Sequence, residues 1–249
     1  MDLLSKAQKK FSVFKDDQIV AAVALANRVH RHQYLYGASS NKIPFLNHCI
    51  EIGMLLAEMG GNATLIAAGI LHDTTRYHDL SHEQLVASFG IHVAHLVEEV
   101  AKLSYMCKLI RHYNQPSSTY NNELCTMLMA MVDVRAVIIK LADRLDKMNR
   151  VEFLLPMERR SKFIKQTLDV IAPLAGRLGL DVWKGRLQDL CFKNLEREEY
   201  DELVSKFSET TLESAVSELM QQLNAMGLAY RSLSSRRKSL YGIHNKMKR

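Results

Sequence analysis

The chain has 249 residues, 47% of them hydrophobic and 24% charged, the balance of a globular protein with room for one large domain and a small appendage. A net charge of +6 favours anionic partners, among which nucleic acid, phosphorylated nucleotides and acidic lipid stay open. Four widely spaced cysteines argue against a disulfide framework or a cysteine zinc site, and the start MDLLSKAQKKF and the lack of a long apolar run exclude a secretory signal, a transit peptide and a membrane span, so a soluble chain is expected.

Residues 16–33 set Ile19, Val20, Val23, Leu25, Ala26 and Val29 on one apolar arc, which predicts a core-facing helix. Residues 36–45, YGASSNKIPF, read as a loop. A second helix, 48 to about 59, stops at Gly60-Gly61. Asn62 reads as the N-cap of a third, ATLIAAGILHD, apolar nearly all round and therefore buried. Ser81 with Gln84 fits a capping box, and IHVAHLVEEVAKLS follows as an amphipathic helix. The polar stretch 105–122 around Pro116 reads as a loop. The longest periodic segment runs from 124 to about 148. Next comes KQTLDVIAPLAGRLGL, which Pro173 should kink or break. DVWKGRLQDLCFKNL and two helical pieces over 203–226 complete the set. No strand alternation precedes residue 228, so the expected fold is all-α, with its core at 50–71, 91–103 and 127–145. The tail from residue 231, RSLSSRRKSLYGIHNKMKR, turns abruptly basic and Ser-rich and marks a boundary.

Ten histidines invite metal hypotheses. His78 with His82, and His92 with His95, have spacings that share a helix face, but their polar surroundings make them surface histidines. His72-Asp73 differs because it ends a fully apolar helix, where buried polar groups need partners. Asp143 likewise interrupts the apolar run VIIKLADRL, and His48 opens an apolar helix directly after a loop. Singly, each fits a capped helix end or a salt-bridged aspartate. Together they form an ordered His…His-Asp…Asp set of nitrogen and oxygen donors suited to Mn²⁺, Zn²⁺ or Fe²⁺. Such an ion activates water and polarises phosphoryl oxygens, which points to phosphate-ester or pyrophosphate hydrolysis.

LANRVHRHQ, FLNHCIEIGMLLAEMGGNATLIAAGILHDT, FGIHVAHLVEEVAKLS, RAVIIKLADRL and APLAGRLGL resemble, in order, blocks of the HD-type hydrolase domain of the RelA/SpoT homologues, over roughly residues 20–200. GILHDT with WKGRLQDLCFKNL is most similar to the plant plastid members. The resemblance implies a helical bundle, Mn²⁺ held by His48, His72, Asp73 and Asp143, and removal of the 3′-pyrophosphate of the alarmone (p)ppGpp. Two adjacent acids of the family, which position and deprotonate the attacking water, correspond here to Arg76 and Tyr77 in HDTTRYHD, with Asp79 as a possible substitute. An arginine cannot accept a proton at neutral pH, and tyrosine is a poor base. Lys147 stands where the family has Asn, and the Glu-Asn-x-Arg-Lys block is reduced to Asn122, Glu123, Leu124, Cys125 and Thr126. A basic loop of the family is replaced by YLYGASSNK, leaving Lys42, with Arg144 and Lys147, as candidate substrate contacts.

Ligands kept and catalysts lost is the pattern of a metal-binding pseudoenzyme. The expected partners are (p)ppGpp, GDP or GTP, and the alternative is a metal- or nucleotide-binding regulatory module without turnover. A nucleic-acid role is disfavoured, because no helix-turn-helix signature accompanies the modest charge. The tail carries Arg236, Arg237, Lys238, Lys246, Lys248 and Arg249 and resembles the opening of the family's synthetase domain, so synthetase activity is not expected of this chain. The implied layout is an N-terminal extension over 1–15, the hydrolase-like domain over 16–200, a helical linker over 201–227 and a truncated synthetase start over 228–249. The location expected is the plastid stroma for a plant protein and the cytoplasm otherwise.

Overall fold

The computed structural model describes residues 3–36, 42–77, 80–113, 127, 132–206, 210–228 and 238–248, with the backbone alone at 36, 76, 77, 107–113, 157, 210–213 and 215. Contacts divide them into two compact units, Met1–Val170 and Ile171–Arg249.

In the first unit, α1 (Leu3–Lys10) leads into α2 (Asp17–Val29), whose start is fixed by the Asp16 side chain accepting from the Gln18 N–H. A hairpin, β1 (Tyr34–Tyr36) with β2 (Lys42–Pro44), follows, pairing antiparallel with Leu35 opposite Ile43. Then come α3 (Phe45–Glu58), α4 (Ala63–Ile70), the short α5 (Thr74–Tyr77), α6 (His82–Phe89), α7 (Ile91–Tyr113), α8 (Val134–Asn149), α9 (Val151–Leu154) and α10 (Met157–Gln166). Helix α4 is the centre: Leu65 through Ile70 are all buried, and α2, α3, α7 and α8 pack around it. Its all-round apolar sequence leaves no face suited to water. Both anticipated caps are present: Asn62 Oδ1 accepts from the Leu65 N–H at 2.9 Å, and Ser81 and Gln84 bond reciprocally. Gly60, with φ of +84°, takes the left-handed turn that ends α3.

Several expectations need correction. Residues 36–45 are not all loop, since Tyr36 and Lys42–Pro44 are paired strand residues and α3 begins at Phe45. Residues 105–113 continue α7, because polar content alone does not stop a helix. The rest of the expected loop, 114–122, lies outside the described residues. Of the expected long helix from 124 to about 148, Met127 is helical, 124–126 and 128–131 lie outside the described residues, and Asp133, accepting from the Arg135 N–H, caps a helix that starts at Val134. At Pro173 the chain does break regularity: Thr167–Ile171 widens into a π-type turn before α11 (Ala172–Arg177), with the proline in its first turn. Pro173 has no N–H to give and its ring crowds the carbonyl four residues earlier.

The second unit comprises α11, α12 (Asp181–Leu195), α13 (Arg197–Lys206), α14 (Thr210–Ala225) and α15 (Leu240–Met247). Its start falls inside the 16–200 span. The tail is not merely a solvated basic terminus: Leu240 packs with Phe192 and Leu203, His244 stacks on Phe192 at 4.5 Å, and Lys248 pairs with Glu196 at 2.8 Å. The segment 229–237 lies outside the described residues. Among the described residues the fold is helical apart from the one hairpin, and no helix is long and apolar enough to cross a membrane.

Candidate metal centre

Three helices of the first unit deliver the site. His48 sits in the first turn of α3, His72 and Asp73 lie just past α4, and Asp143 lies mid-way along α8. All four are buried, His48 and His72 each at 1% exposure and Asp143 at 2%. His72 arrives there because Gly69 lets α4 approach α3 closely: a Cβ at Gly69 would overlap Leu56 Cδ1. Both rings are oriented through Nδ1. His72 Nδ1 donates to the Gly69 carbonyl at 2.9 Å, and His48 Nδ1 lies 2.6 Å from Asp146 Oδ2. In the neutral tautomer that these contacts select, each Nε2 carries a lone pair aimed inward, as a metal ligand requires.

The inward atoms meet. His48 Nε2 is 3.3 Å from Asp143 Oδ1, and His72 Nε2 is 4.0 Å from the same oxygen. These three donors lie within 4.8 Å of one another, close enough to share an ion. Asp73 Oδ2 stands 3.6 Å from His72 Nε2, beside that trio. Among the described residues neither Nε2 has a hydrogen-bond partner, although both are buried. Buried polar nitrogens without hydrogen bonds are costly, and a cation would satisfy both. The donor set therefore fits a divalent metal.

The electrostatics are those of a dense, water-poor cluster. Burial, the largest influence on His72, depresses its imidazole to a pKa of about 4, so it is neutral at pH 7. Burial would depress His48 as well, but the Asp143 and Asp146 carboxylates beside it outweigh burial and raise it above the ordinary histidine value. Burial opposes ionisation of Asp143, yet Lys140, Lys147 and the histidines hold its carboxyl well below the usual range. Lys140 Nζ lies 2.8 Å from Asp143 Oδ2, and Lys147 Nζ lies 2.6 Å from Oδ1.

The other residues singled out in the sequence are placed differently. Lys147 is at the cluster, but on a metal-ligand candidate. The Arg144 guanidinium lies 4.2 Å over the Phe163 ring and donates to Thr167 and Gln166. Exposed Lys42 reaches over the Tyr34 ring in the hairpin. Arg76 and Tyr77 lie in α5, while Asp79 and residues 122–126 lie outside the described residues, as does His78. His92 and His95 are exposed, and His82 is half exposed beside Glu98. Sequence reading missed Asp146, which is buried, orients His48 and is itself held by Arg150 at 3.0 Å. Its spacing of three from Asp143 was the available signal, since it puts both acids on one helix face.

The HD domain family model matches residues 22–181. A rice (Oryza sativa subsp. japonica) relative, "Probable GTP diphosphokinase RSH2, chloroplastic", is 44% identical over 99% of this chain and 34% of its own length. A Synechocystis relative, "Probable guanosine-3′,5′-bis(diphosphate) 3′-pyrophosphohydrolase", is 38% identical over 82% of this chain and 27% of its own length. Among solved structures, a metazoan orthologue of SpoT aligns over 71% of this chain and 86% of its own at 22% identity, with a TM-score of 0.47. The chain spans about a third of the length of the curated relatives it matches. It belongs to the HD domain family, within the RelA/SpoT-homologue group.

Proposed function

We propose that this chain is the HD-type, hydrolase-like part of a plastid RelA/SpoT homologue that handles (p)ppGpp in the stringent response. The observation that carries it is the buried meeting of His48 Nε2, His72 Nε2 and Asp143 Oδ1 within 4.8 Å, in a chain 44% identical to a chloroplastic GTP diphosphokinase. Asp73 completes the ligand set, and Mn²⁺ is the ion it holds. Such an ion, when bound, polarises a phosphoryl oxygen and lowers the pKa of water. The chain's own contribution is to desolvate that place, to orient two imidazoles through their Nδ1 atoms and to keep Asp143 ionised. Lys42, Arg144 and Lys147 are the candidate phosphate contacts. The resemblance of residues 228–249 to a synthetase opening supports a place in a longer RelA/SpoT homologue.

Acid–base catalysis is what the chain lacks. Arg76 adds positive charge where a carboxylate should take a proton from water, and Tyr77 replaces its acidic neighbour. Losing a positioned general base costs about 10²–10⁴-fold. A second reading, metal and guanine-nucleotide binding without turnover, is favoured by this loss and by Lys147 on Asp143.

The test is purified protein with Mn²⁺ and ppGpp, read for pyrophosphate release and for nucleotide binding. We expect binding, with release about 10²-fold or more below an intact family member. Combined Arg76→Glu, Tyr77→Asp and Lys147→Asn substitutions should revive part of it. Wild-type turnover equal to an intact member, and unaffected by Asp79→Ala, would refute the loss of catalysis. Turnover that vanishes in Asp79→Ala makes Asp79 the relocated base.

A further inference from the structure

Both oxygens of Asp143 lie in ion-pair contact with cations supplied by its own helix, the Lys140 contact being also a hydrogen bond. Lys140 Nζ stands 2.8 Å from Oδ2, and Lys147 Nζ stands 2.6 Å from Oδ1. Oδ1 is also the oxygen facing His48 Nε2 and His72 Nε2. The Lys147 ammonium and an ion held by the two imidazoles therefore compete for one atom.

We propose that Lys147 is an internal competitor for the metal, its ammonium occupying Asp143 Oδ1 in the metal-free protein and leaving for solvent when a divalent cation binds. This rests on the metal-centre reading above. Charge supports it: the carboxylates of the donor set, Asp73 and Asp143, are balanced by the ammonium groups of Lys140 and Lys147, while Asp146 beside His48 is balanced by Arg150. A divalent ion added to that neutral, buried group with both lysines retained creates an excess of positive charge in a poorly screened place. Lys147 is the lysine able to leave. It sits in the last turn of α8, and its side chain is the more exposed of the two, 31% against 23% for Lys140. Lys140 contacts the other oxygen and can stay, fixing the carboxylate so that Oδ1 points at the histidines. The same position thus sets metal affinity, and metal loading becomes dependent on free divalent-ion concentration rather than permanent.

Mn²⁺ is titrated calorimetrically into the full chain, freed of metal with chelator, as wild type, His72→Ala, Lys147→Met, Lys147→Gln, Lys140→Met and Lys147→Met with His72→Ala. Lys147→Met and Lys147→Gln should tighten Mn²⁺ binding by about 10–100-fold, the range in which outer contacts tune metal sites. Lys140→Met removes the same charge from the same carboxylate and should tighten it less. Adding His72→Ala should abolish the gain. His72-dependent Mn²⁺ binding by the wild type, with no greater tightening in Lys147→Met than in Lys140→Met, overturns the competition and leaves the metal centre standing. No Mn²⁺ binding by wild type or Lys147→Met at millimolar ion overturns both. A measurement on the unmodified chain needs no variant: amine-selective acetylation, followed by mass spectrometry, should label Lys147 several-fold faster with Mn²⁺ than with chelator. Equal or slower labelling overturns the proposal.

Discussion

His48 carries two jobs through its two nitrogens. Nδ1 ties it to Asp146 at 2.6 Å, and Nε2 faces Asp143 at 3.3 Å. With acids on both sides its pKa is raised despite burial. A raised folded value means that His48 stabilises the metal-free protein fully below its unfolded pKa, near 6.5, and loses that contribution as pH climbs through the folded value. Asp143 runs the other way: its depressed folded pKa gives stability above roughly pH 3.9 that is lost as pH falls. His72 opposes His48: with a folded value of about 4 it costs stability as pH falls below its unfolded value near 6.5, so the two histidines offset each other there. The melting-temperature advantage of wild type over His48→Gln, measured with chelator, should therefore shrink from pH 6 to pH 8.5. A wild type and variant with parallel profiles would rule His48 out as the cause.

At the scale of elements, the site depends on how closely α3 and α4 approach. Gly53 and Gly69 make the seam: a Cβ at Gly53 would stand 3.0 Å from Ile70 Cγ1, and one at Gly69 would overlap Leu56 Cδ1. Leu56 is fully buried, so it has nowhere to move. Helix propensity favours alanine over glycine by about 1 kcal/mol, but overpacking a core costs about 1–3 kcal/mol. Because the Gly69 carbonyl also holds His72 Nδ1, the strain falls on a metal-ligand candidate. Gly69→Ala should lower stability to chemical denaturation by about 1 kcal/mol and weaken Mn²⁺ binding, whereas Gly185→Ala, with its nearest neighbour 3.7 Å away, should do neither.

The same scale decides what could be read beforehand. Caps at Asn62 and Ser81 were legible because their hydrogen bonds are local, reaching only three residues ahead. The Asp133 cap was hidden in MVDVRAV, where apolar residues continue on both sides and mask the break. The hairpin escaped because three-residue strands are too short to show alternation. His48, His72 and Asp143 stood out as polar residues in apolar settings. The lysines on Asp143 did not, since which of its oxygens faces the histidines is fixed by three helices far apart in sequence.

For the whole molecule, the metal-centre candidates His48, His72, Asp73 and Asp143 all belong to one compact unit, Met1–Val170, and none to Ile171–Arg249. The second unit has its own small core of Phe192, Leu203 and Leu240, with Tyr200 and Tyr241 against it. Its helices are also tied by Tyr241 N–H donating to Asp189 and by His244 beside Glu196. A ligand that binds only the native form of one unit raises the stability of that unit by mass action, about 2.7 kcal/mol at a hundred times its Kd. For a unit of this size each kcal/mol is worth roughly 2–4 °C. Differential scanning calorimetry of the full chain should then resolve two transitions, with Mn²⁺ moving one upward by roughly 5–10 °C. The other should stay within a degree or so of its metal-free position, because the donor set His48, His72, Asp73 and Asp143 lies in the first unit. Leu240→Ala should lower the second transition alone, by removing a buried side chain whose loss typically costs about 2–5 kcal/mol. A single transition that shifts as one body with Mn²⁺ and with Leu240→Ala would show that the two units unfold cooperatively, against the independence that separate cores imply.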